Sequence, residues 1–281
     1  GTTVALNTVL ERSGSRTALV TTAGFRDVLQ IGRQNRPHLY DWSVRRPDPL
    51  VPRRLRFEVP ERVLHTGEVL ETLPEHAIHS LIDKLQQAEV DAVAICLLHS
   101  YANPIHEKAL GDAIREALPD LRLSLSCDVL PEFKEYDRMS TTAINAYVSG
   151  RTGTYLAGLQ QTLQSVGVTS GVHVMQSNGG VVSANAAAER PVHTLLSGPA
   201  AGVIGGTAIA SMAGEPNSIT IDMGGTSFDV ALCYRGEVAR SREGEVGGLP
   251  VKSPAIDLHT LGAGGGSIAW IDAGGALRVG P

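Results

Sequence analysis

The chain has 281 residues, 42 % of them apolar and 19 % charged, with a net charge of −5, so it can bury a sizeable core in one large α/β unit or two lobes. With no block of like charge, nothing draws it to nucleic acid or to an anionic membrane. No apolar stretch approaches the ~18 residues of a membrane span, and no cationic start precedes an apolar run of signal-peptide length.

The chain opens without Met on GTTVALNTVLERSG. Val4, Leu6, Val9 and Leu10 follow helical spacing, and Gly14 can stop that helix. RTALVTT (16–22) reads as a strand, followed by a short helix over 25–31 and a polar loop, GRQNRPHLYDW. LRFEV (55–59) and ERVLHTGEVLETL (61–73) alternate as extended strands with a turn at Thr66-Gly67. EHAIHSLIDKLQQA (75–88) has helical spacing at Ile78, Leu81, Ile82 and Leu85. DAVAICLL (91–98) is apolar throughout, as the centre of a parallel sheet requires. A helix (105–117), a strand (121–126) and a long helix from about 136 to 165 follow. After Gly167 come the strand VHVMQ, a glycine turn SNGG and a small-residue helix at 195–214. The closing GGALRVGP reads as the second arm of a hairpin, so both ends are expected to lie inside the structure of something longer. The βαβα order predicts a doubly wound α/β fold, with a lobe boundary between 165 and 220. Cys96, Cys127 and Cys233 are scattered and lack CxxC spacing, which predicts free thiols (Cys96 and Cys233 buried) and a reducing, cytoplasmic setting.

SITIDMGGTSFDVALCYRG, at 218–236, breaks the apolar pattern. Ile219 and Ile221 alternate into Asp222, and Phe228, Val230 and Leu232 resume after Asp229, which spells strand, tight turn, strand. Gly224 and Gly225 permit positive φ and let backbone amides approach an anion, while Thr226 and Ser227 add hydroxyls. Asp222 and Asp229 would repel a bare phosphate, so they point to a cation between them. Magnesium, which prefers oxygen ligands and keeps water, fits, bound in part through water. A plain hairpin with a Gly-Gly turn is the alternative.

Other polar groups carry paired readings. GAGGGS (262–267) is not a dinucleotide fingerprint, because Ser267 replaces the third glycine and a strand follows. Gly264 and Gly265 either bring amides to a phosphate or substrate or form a flexible turn. Asp257 and His259 read as an acid–base pair or as a structural pin. Arg33, Asn35 and Arg36 read as a clamp for a carbonyl or carboxylate substrate, or as an exposed loop. His99, His106 and Glu107 lack metal-ligand spacing and read as a solvated loop capping a helix. Glu135, Tyr136, Asp137 and Arg138 read as a charged helix start. No GK[ST], HExxH or GxSxG motif is present.

The hairpin and its preceding small-residue helix resemble the actin-like ATPase superfamily. GTTVALNTVLERSGSRTALVTTAGFRDVLQIGRQNRPHLYDW, LHSYANPIHE, PEFKEYDRMSTTAINAYV, SNGGVVSANAAAERPVHTLLSGPAAGVIGG, IDMGGTSFDVAL and DLHTLGAGGGSIAWIDAGGALRVGP resemble blocks of the hydantoinase/oxoprolinase family along essentially the whole chain. That resemblance implies an actin-like (ribonuclease H-like) two-lobe α/β fold. Residues 1–165 would belong to the first lobe and 166–281 to the start of the second, with a connecting helix at 195–214 and the phosphate hairpin at 218–235. It implies ATP and Mg2+ as cofactors, held by Asp222, Gly224, Gly225, Thr226, Ser227, Asp229, Gly264 and Gly265. The implied reaction is hydrolysis of a cyclic amide such as a hydantoin or 5-oxoproline through phosphorylation of the amide oxygen, with Asp257 and His259 as catalytic candidates. The family's first DxGGTxxD hairpin and its adenosine motif do not occur here, so the chain is expected to be an inactive central segment of a longer subunit. A hydantoinase B-type subunit is the implied partner, self-association being open. Oxoprolinase-like members tend to carry asparagine and AAGGG where this chain has His259 and GAGGG. This places the chain nearer the hydantoinase A-like branch, which includes ATP-using subunits of ketone carboxylases. A ketone carboxylase subunit and a non-enzymatic nucleotide switch are the other two functions the sequence admits.

Overall fold

The computed structural model describes residues 1–35, 40–41, 43–225 and 227–280. Its helices are α1 (Val4–Leu10), α2 (Val28–Ile31), α3 (Glu75–Gln87), α4 (Ile105–Ala117), α5 (Ser126–Val129), α6 (Glu135–Ser165), α7 (Ala184–Glu189) and α8 (Ser197–Met212). Its strands are β1 (Thr17–Thr22), β2 (Arg56–Val59), β3 (Arg62–Val63), β4 (Val69–Glu71), β5 (Ala92–Cys96), β6 (Arg122–Leu125), β7 (His173–Met175) and β8 (Val181–Ser183). They continue with β9 (Ser218–Met223), β10 (Phe228–Tyr234), β11 (Glu237–Val238), β12 (Arg240–Val246), β13 (Leu249–Ile256), β14 (His259–Leu261), β15 (Ile268–Ile271) and β16 (Leu277–Gly280).

β2, β1, β5 and β6 form a parallel sheet in that order. Alternation sends Ala18, Val20, Val93 and Ile95 to one face, against Leu81 and Leu85 of α3 and Leu110 and Ile114 of α4. It sends Leu19, Ala92, Ala94 and Cys96 to the other, against Met139, Ala143 and Ala146 of α6. Both faces are covered, so the apolar run at 91–98 lies at the centre as its composition requires.

Helix α6 is buried from Asp137 to Ser149 although its sequence is rich in hydroxyls. The hydroxyls are satisfied locally or across elements. Thr142 donates to Arg138 O (2.7 Å), Ser140 to Pro250 O (2.7 Å), and Thr141 accepts from Lys252 N (2.9 Å). Asn145, fully buried, donates to Ser124 Oγ (3.0 Å) and Glu189 O (3.2 Å) and accepts from Val192 N (3.2 Å). One side chain thereby joins the parallel sheet to the segment after α7.

On the far side of α6, residues Ala5 and Val9 of α1 share a core with Ile144, Tyr147, Val192, Leu195, Val246, Leu249 and Val251. The hairpin β12–β13, which the sequence pattern did not announce, provides the last three. Its two-residue turn has Gly247 and Gly248 both at positive φ (57° and 77°), as a type I′ turn demands. The expected division at residue 165 therefore crosses a shared core rather than an empty seam. None of the described helices is long and apolar enough to cross a membrane, and Cys96 and Cys233 are buried free thiols as expected.

In the later half β10 pairs β9 on one side and β11 and β14 on the other, all antiparallel. Helix α8 covers one face, packing Ala200 and Val203 on Ala231 and Ile256. Gly206 is needed for this close approach, since a Cβ there would stand 2.9 Å from Thr220 Cγ2. The opposite face is open, with Ile219, Ile221, Met223, Leu232, Tyr234 and Leu261 exposed. Replacing Asn145 with leucine is expected to lower the unfolding free energy in denaturant by about 2–4 kcal/mol, because it strands buried partners on three elements. A loss below ~0.5 kcal/mol would show that Asn145 does not tie these elements together.

Candidate functional site

The hairpin at 218–236 forms as its sequence spells it. Asp222 and Asp229 are register partners on β9 and β10, and Thr260 of β14 is opposite Asp229 on the other side. Strand alternation puts these three side chains on one face, the face that packs on α8. Thr260 Oγ1 donates to Asp229 Oδ1 at 2.5 Å. A Cβ on Gly202 of α8 would come within 4.0 Å of Asp222 Oδ2, so the helix approaches that carboxylate without a side chain between them.

The two glycine loops meet. Gly224 N donates to Ser227 O (2.9 Å) and closes the turn. Gly265 N donates to Gly224 O and Gly266 N to Gly225 O, both at 2.9 Å, docking the 262–267 loop onto it. Gly264 N donates to Ser267 Oγ (2.8 Å). A Cβ at Gly266 would lie 3.0 Å from Gly225 O, a tight approach that favours glycine there. Thr226 lies outside the described residues. At the base of α8, Thr2 N donates to Ser197 Oγ (3.0 Å), which donates to Thr2 O (3.1 Å), bringing the GTT segment to the first turn of that helix.

These groups suit a hard cation bound with phosphate. Two carboxylates share a face within reach of one ion, beside glycines whose missing side chains leave room for a ligand. Among the described residues no cluster of three or more His, Cys, Asp or Glu could hold a metal. A cation here would complete its sphere with phosphate oxygens and water, as magnesium does.

Other expected site residues lie elsewhere. His259 is the register partner of Val230, so its side chain is on the face opposite Asp229 and Thr260, beside the open apolar surface. Asp257 precedes β14, exposed, with its amide donating to Ala239 O (2.9 Å). No hydrogen bond joins it to His259 among the described residues. The expected pairing of this carboxylate with the imidazole is therefore not formed.

Arg33 and Asn35 line a cavity of about 230 Å³ with Arg46, Tyr136, Ser140 and Leu249; Arg36 lies outside the described residues. Arg33 Nη2 bonds Asp137 Oδ1 at 2.5 Å, and this carboxylate raises the guanidinium pKa. Arg46 donates to Asn35 O (2.6 and 3.1 Å). This cavity sits at the Leu249 end of β13, while Ile256 at the other end packs on α8. Eight residues of strand separate those ends by about 23 Å.

The reading of His106 and Glu107 as solvated is corrected. Both begin α4 and are buried. Glu107 accepts from Leu97 N (2.8 Å), Ser126 Oγ (2.6 Å) and Cys127 N (2.9 Å), and His106 Nδ1 meets Glu61 Oε2 at 2.7 Å. The carboxylate gathers donors from the ends of β5 and β6, a role that only the three-dimensional path reveals. Asp137 and Arg138 of the charged helix start are also buried, Arg138 donating to Leu97 O beneath the Tyr101 ring.

Residues 138–281 match the family model described as hydantoinase/oxoprolinase, and residues 1–118 match its N-terminal region. The caprolactamase subunit alpha of Pseudomonas jessenii is 39 % identical across the whole chain, and the 5-oxoprolinase of Saccharomyces cerevisiae 33 %. The chain spans 41 % of the first protein's length and 24 % of the second's. A crystal structure of the ATP-dependent caprolactamase from Pseudomonas jessenii superposes with a TM-score of 0.89 at 37 % identity, covering all of this chain and 41 % of that one. A nucleotide-free structure of acetone carboxylase gives 0.82 at 30 %, covering 99 % and 41 %. The α/β fold is thus that of the actin-like ATPases, as the resemblance implied.

Burial and the Glu107 charge push the Cys127 thiol up to about 12. A pKa three units above the 9.0 of a free thiol leaves about a thousandfold less thiolate at pH 8. Alkylation of Cys127 by iodoacetamide, followed by mass spectrometry of its peptide, is expected to be slower than that of free cysteine by at least ~100-fold. A free-thiol rate would contradict the half-buried environment beside Glu107.

Proposed function

This chain belongs to the hydantoinase/oxoprolinase family, and from that membership we propose that it is the phosphate-gripping part of a longer enzyme that uses ATP to open a cyclic amide. The observation that carries the reading is the shared face on which Asp222 and Asp229 stand between two docked glycine loops and a glycine-lined helix. Bound there, ATP supplies a phosphoryl group that converts a resonance-stabilised amide into an electrophile that water can attack.

The chain's residues do the positioning. Asp222 and Asp229 hold magnesium, in part through water, and Thr260 orients the Asp229 carboxylate. The Gly225 amide, with Thr226 and Ser227, binds phosphate oxygens, Gly264 and Gly265 bring their loop beside it, and the amides of Gly265 and Gly266 hold the turn through Gly224 O and Gly225 O. Catalysis of this kind is mainly alignment and charge neutralisation. The ring is a lactam or hydantoin, clamped by Arg33, Asn35 and Arg36, of which Arg33 and Asn35 line a cavity of about 230 Å³. A second, B-type subunit completes the assembly, in a cytoplasmic setting in keeping with three free thiols.

The acetone carboxylase likeness favours one other reading, in which the activated carbonyl belongs to a ketone. ATP turnover by the full-length protein separates them: stimulation by caprolactam or 5-oxoproline supports the amide, and stimulation only by a ketone with bicarbonate supports carboxylation. Turnover independent of all of these would indicate a nucleotide switch.

Asp222→Asn in the full-length protein is expected to lower ATP hydrolysis by at least ~100-fold with an unchanged circular dichroism spectrum. Unchanged turnover would remove the hairpin from the chemistry. His259→Gln is expected to leave kcat within about threefold, since its side chain faces away from Asp229; a fall on the order of 10²-fold would restore it as a proton carrier.

A further inference from the structure

A second polar cleft, of about 670 Å³, has no part in the phosphate site. It is lined by Arg26, Arg53, Arg54, Arg56, Glu58 and Lys84, together with Phe57. It lies along β2, which among the described residues pairs with β1 alone. Phe57 belongs to the core under α3, while Arg56 turns to the opposite face, where it bonds Val51 O (2.9 Å) and Gln30 Oε1 (3.3 Å). The cleft therefore straddles the strand's unpaired edge.

Its cations are short of partners. Asp27 gives both oxygens to Arg53 (2.8 and 2.9 Å), which leaves Arg56 Nη1 3.8 Å from the nearer one. The Arg56 side chain is 1 % exposed, and its Nη1 has no hydrogen-bond partner. Glu58 Oε1 accepts from Gly24 N (2.7 Å), and its Oε2 is 3.6 Å from Arg26 Nε, which also lacks a hydrogen bond. Arg54 and Lys84 are exposed and make no ion pair among the described residues. Five cations thus share two carboxylates in a chain whose net charge is −5.

Charged side chains also guard edge strands against self-pairing, and Arg54 and Lys84 would suffice for that. A guard gains nothing from a buried guanidinium with an idle donor, which is costly. A single phosphate would need donors converging on a point, whereas these come from four separate elements around a free strand edge. That arrangement matches an extended peptide carrying several carboxylates.

We propose that the free edge of β2 is a docking site for an extended acidic segment of a partner protein. The segment adds a strand through main-chain hydrogen bonds, and its carboxylates take Arg53, Arg54 and Lys84. A carboxylate on Arg53 frees Asp27 to bond Arg56 Nη1, so docking satisfies the buried donor. The proposal does not depend on the chemistry at Asp222.

The test uses the full-length protein and a fluorescein-labelled peptide of alternating Glu and Val, with a Lys–Val peptide as control. The acidic peptide is expected to bind, to weaken as salt rises, and to slow hydrogen exchange at the amides of residues 56–59. Arg54→Glu with Lys84→Glu should weaken it by at least about tenfold. Should that variant not fold, Arg54→Gln with Lys84→Gln carries the same comparison. Four results would each overturn the proposal. They are equal binding of both peptides, unchanged binding by the variant, full displacement by millimolar inorganic phosphate at constant ionic strength, and protection of β2 amides before any peptide is added.

Discussion

The burial of α6 is the constraint on which the rest of the structure depends. Over Asp137–Ser149, where α6 is enclosed, its polar side chains must find partners inside the protein, and several do so by reaching outward to other elements. Its Asn145 holds the parallel sheet and the segment after α7, and its Ser140 and Thr141 hold β13 by backbone bonds at Pro250 and Lys252. Those bonds set where β13 runs, and β13 leads through Asp257 into β14. The register of β14 on β10 then sets Thr260 beside Asp229 and docks the glycine loop on the hairpin turn. A wall built for packing thereby positions a site built for charge.

Two-residue periodicity sorts the chemistry at that site. On β9, β10 and β14 the same alternation that buries Ala231 against α8 brings Asp222, Asp229 and Thr260 to that face. It sends His259 to the other, with Ile221 and Val230 as neighbours in register. A one-residue shift would exchange the two sets. The two carboxylates and Thr260 thus share the α8 face, and the imidazole stands on the other.

Local patterns made most elements legible. The helix over 105–117, the apolar strand at 91–98 and the Asp222–Asp229 hairpin all follow from periodicity and glycine placement within one window. The resemblance across whole blocks made the family legible as well. What stayed hidden depends on long-range pairing. The β12–β13 hairpin mixes charge with apolar residues because only one face packs on α6, so its alternation is faint; the paired glycines at 247 and 248 were its one local sign. Glu107 reads as a solvated acid until three donors close on it from β5 and β6.

The central claim is that a metal–phosphate unit sits on the α8 face of the β9–β10 hairpin. Crystals of the full-length protein grown with Mn2+ and a non-hydrolysable ATP analogue, measured at the manganese absorption edge, test it directly. The expected result is an anomalous peak between Asp222 and Asp229, with phosphate density against Gly224 and Gly225. A peak on the His259 face, or nucleotide density that leaves both carboxylates without a metal or a bridging water, would contradict it.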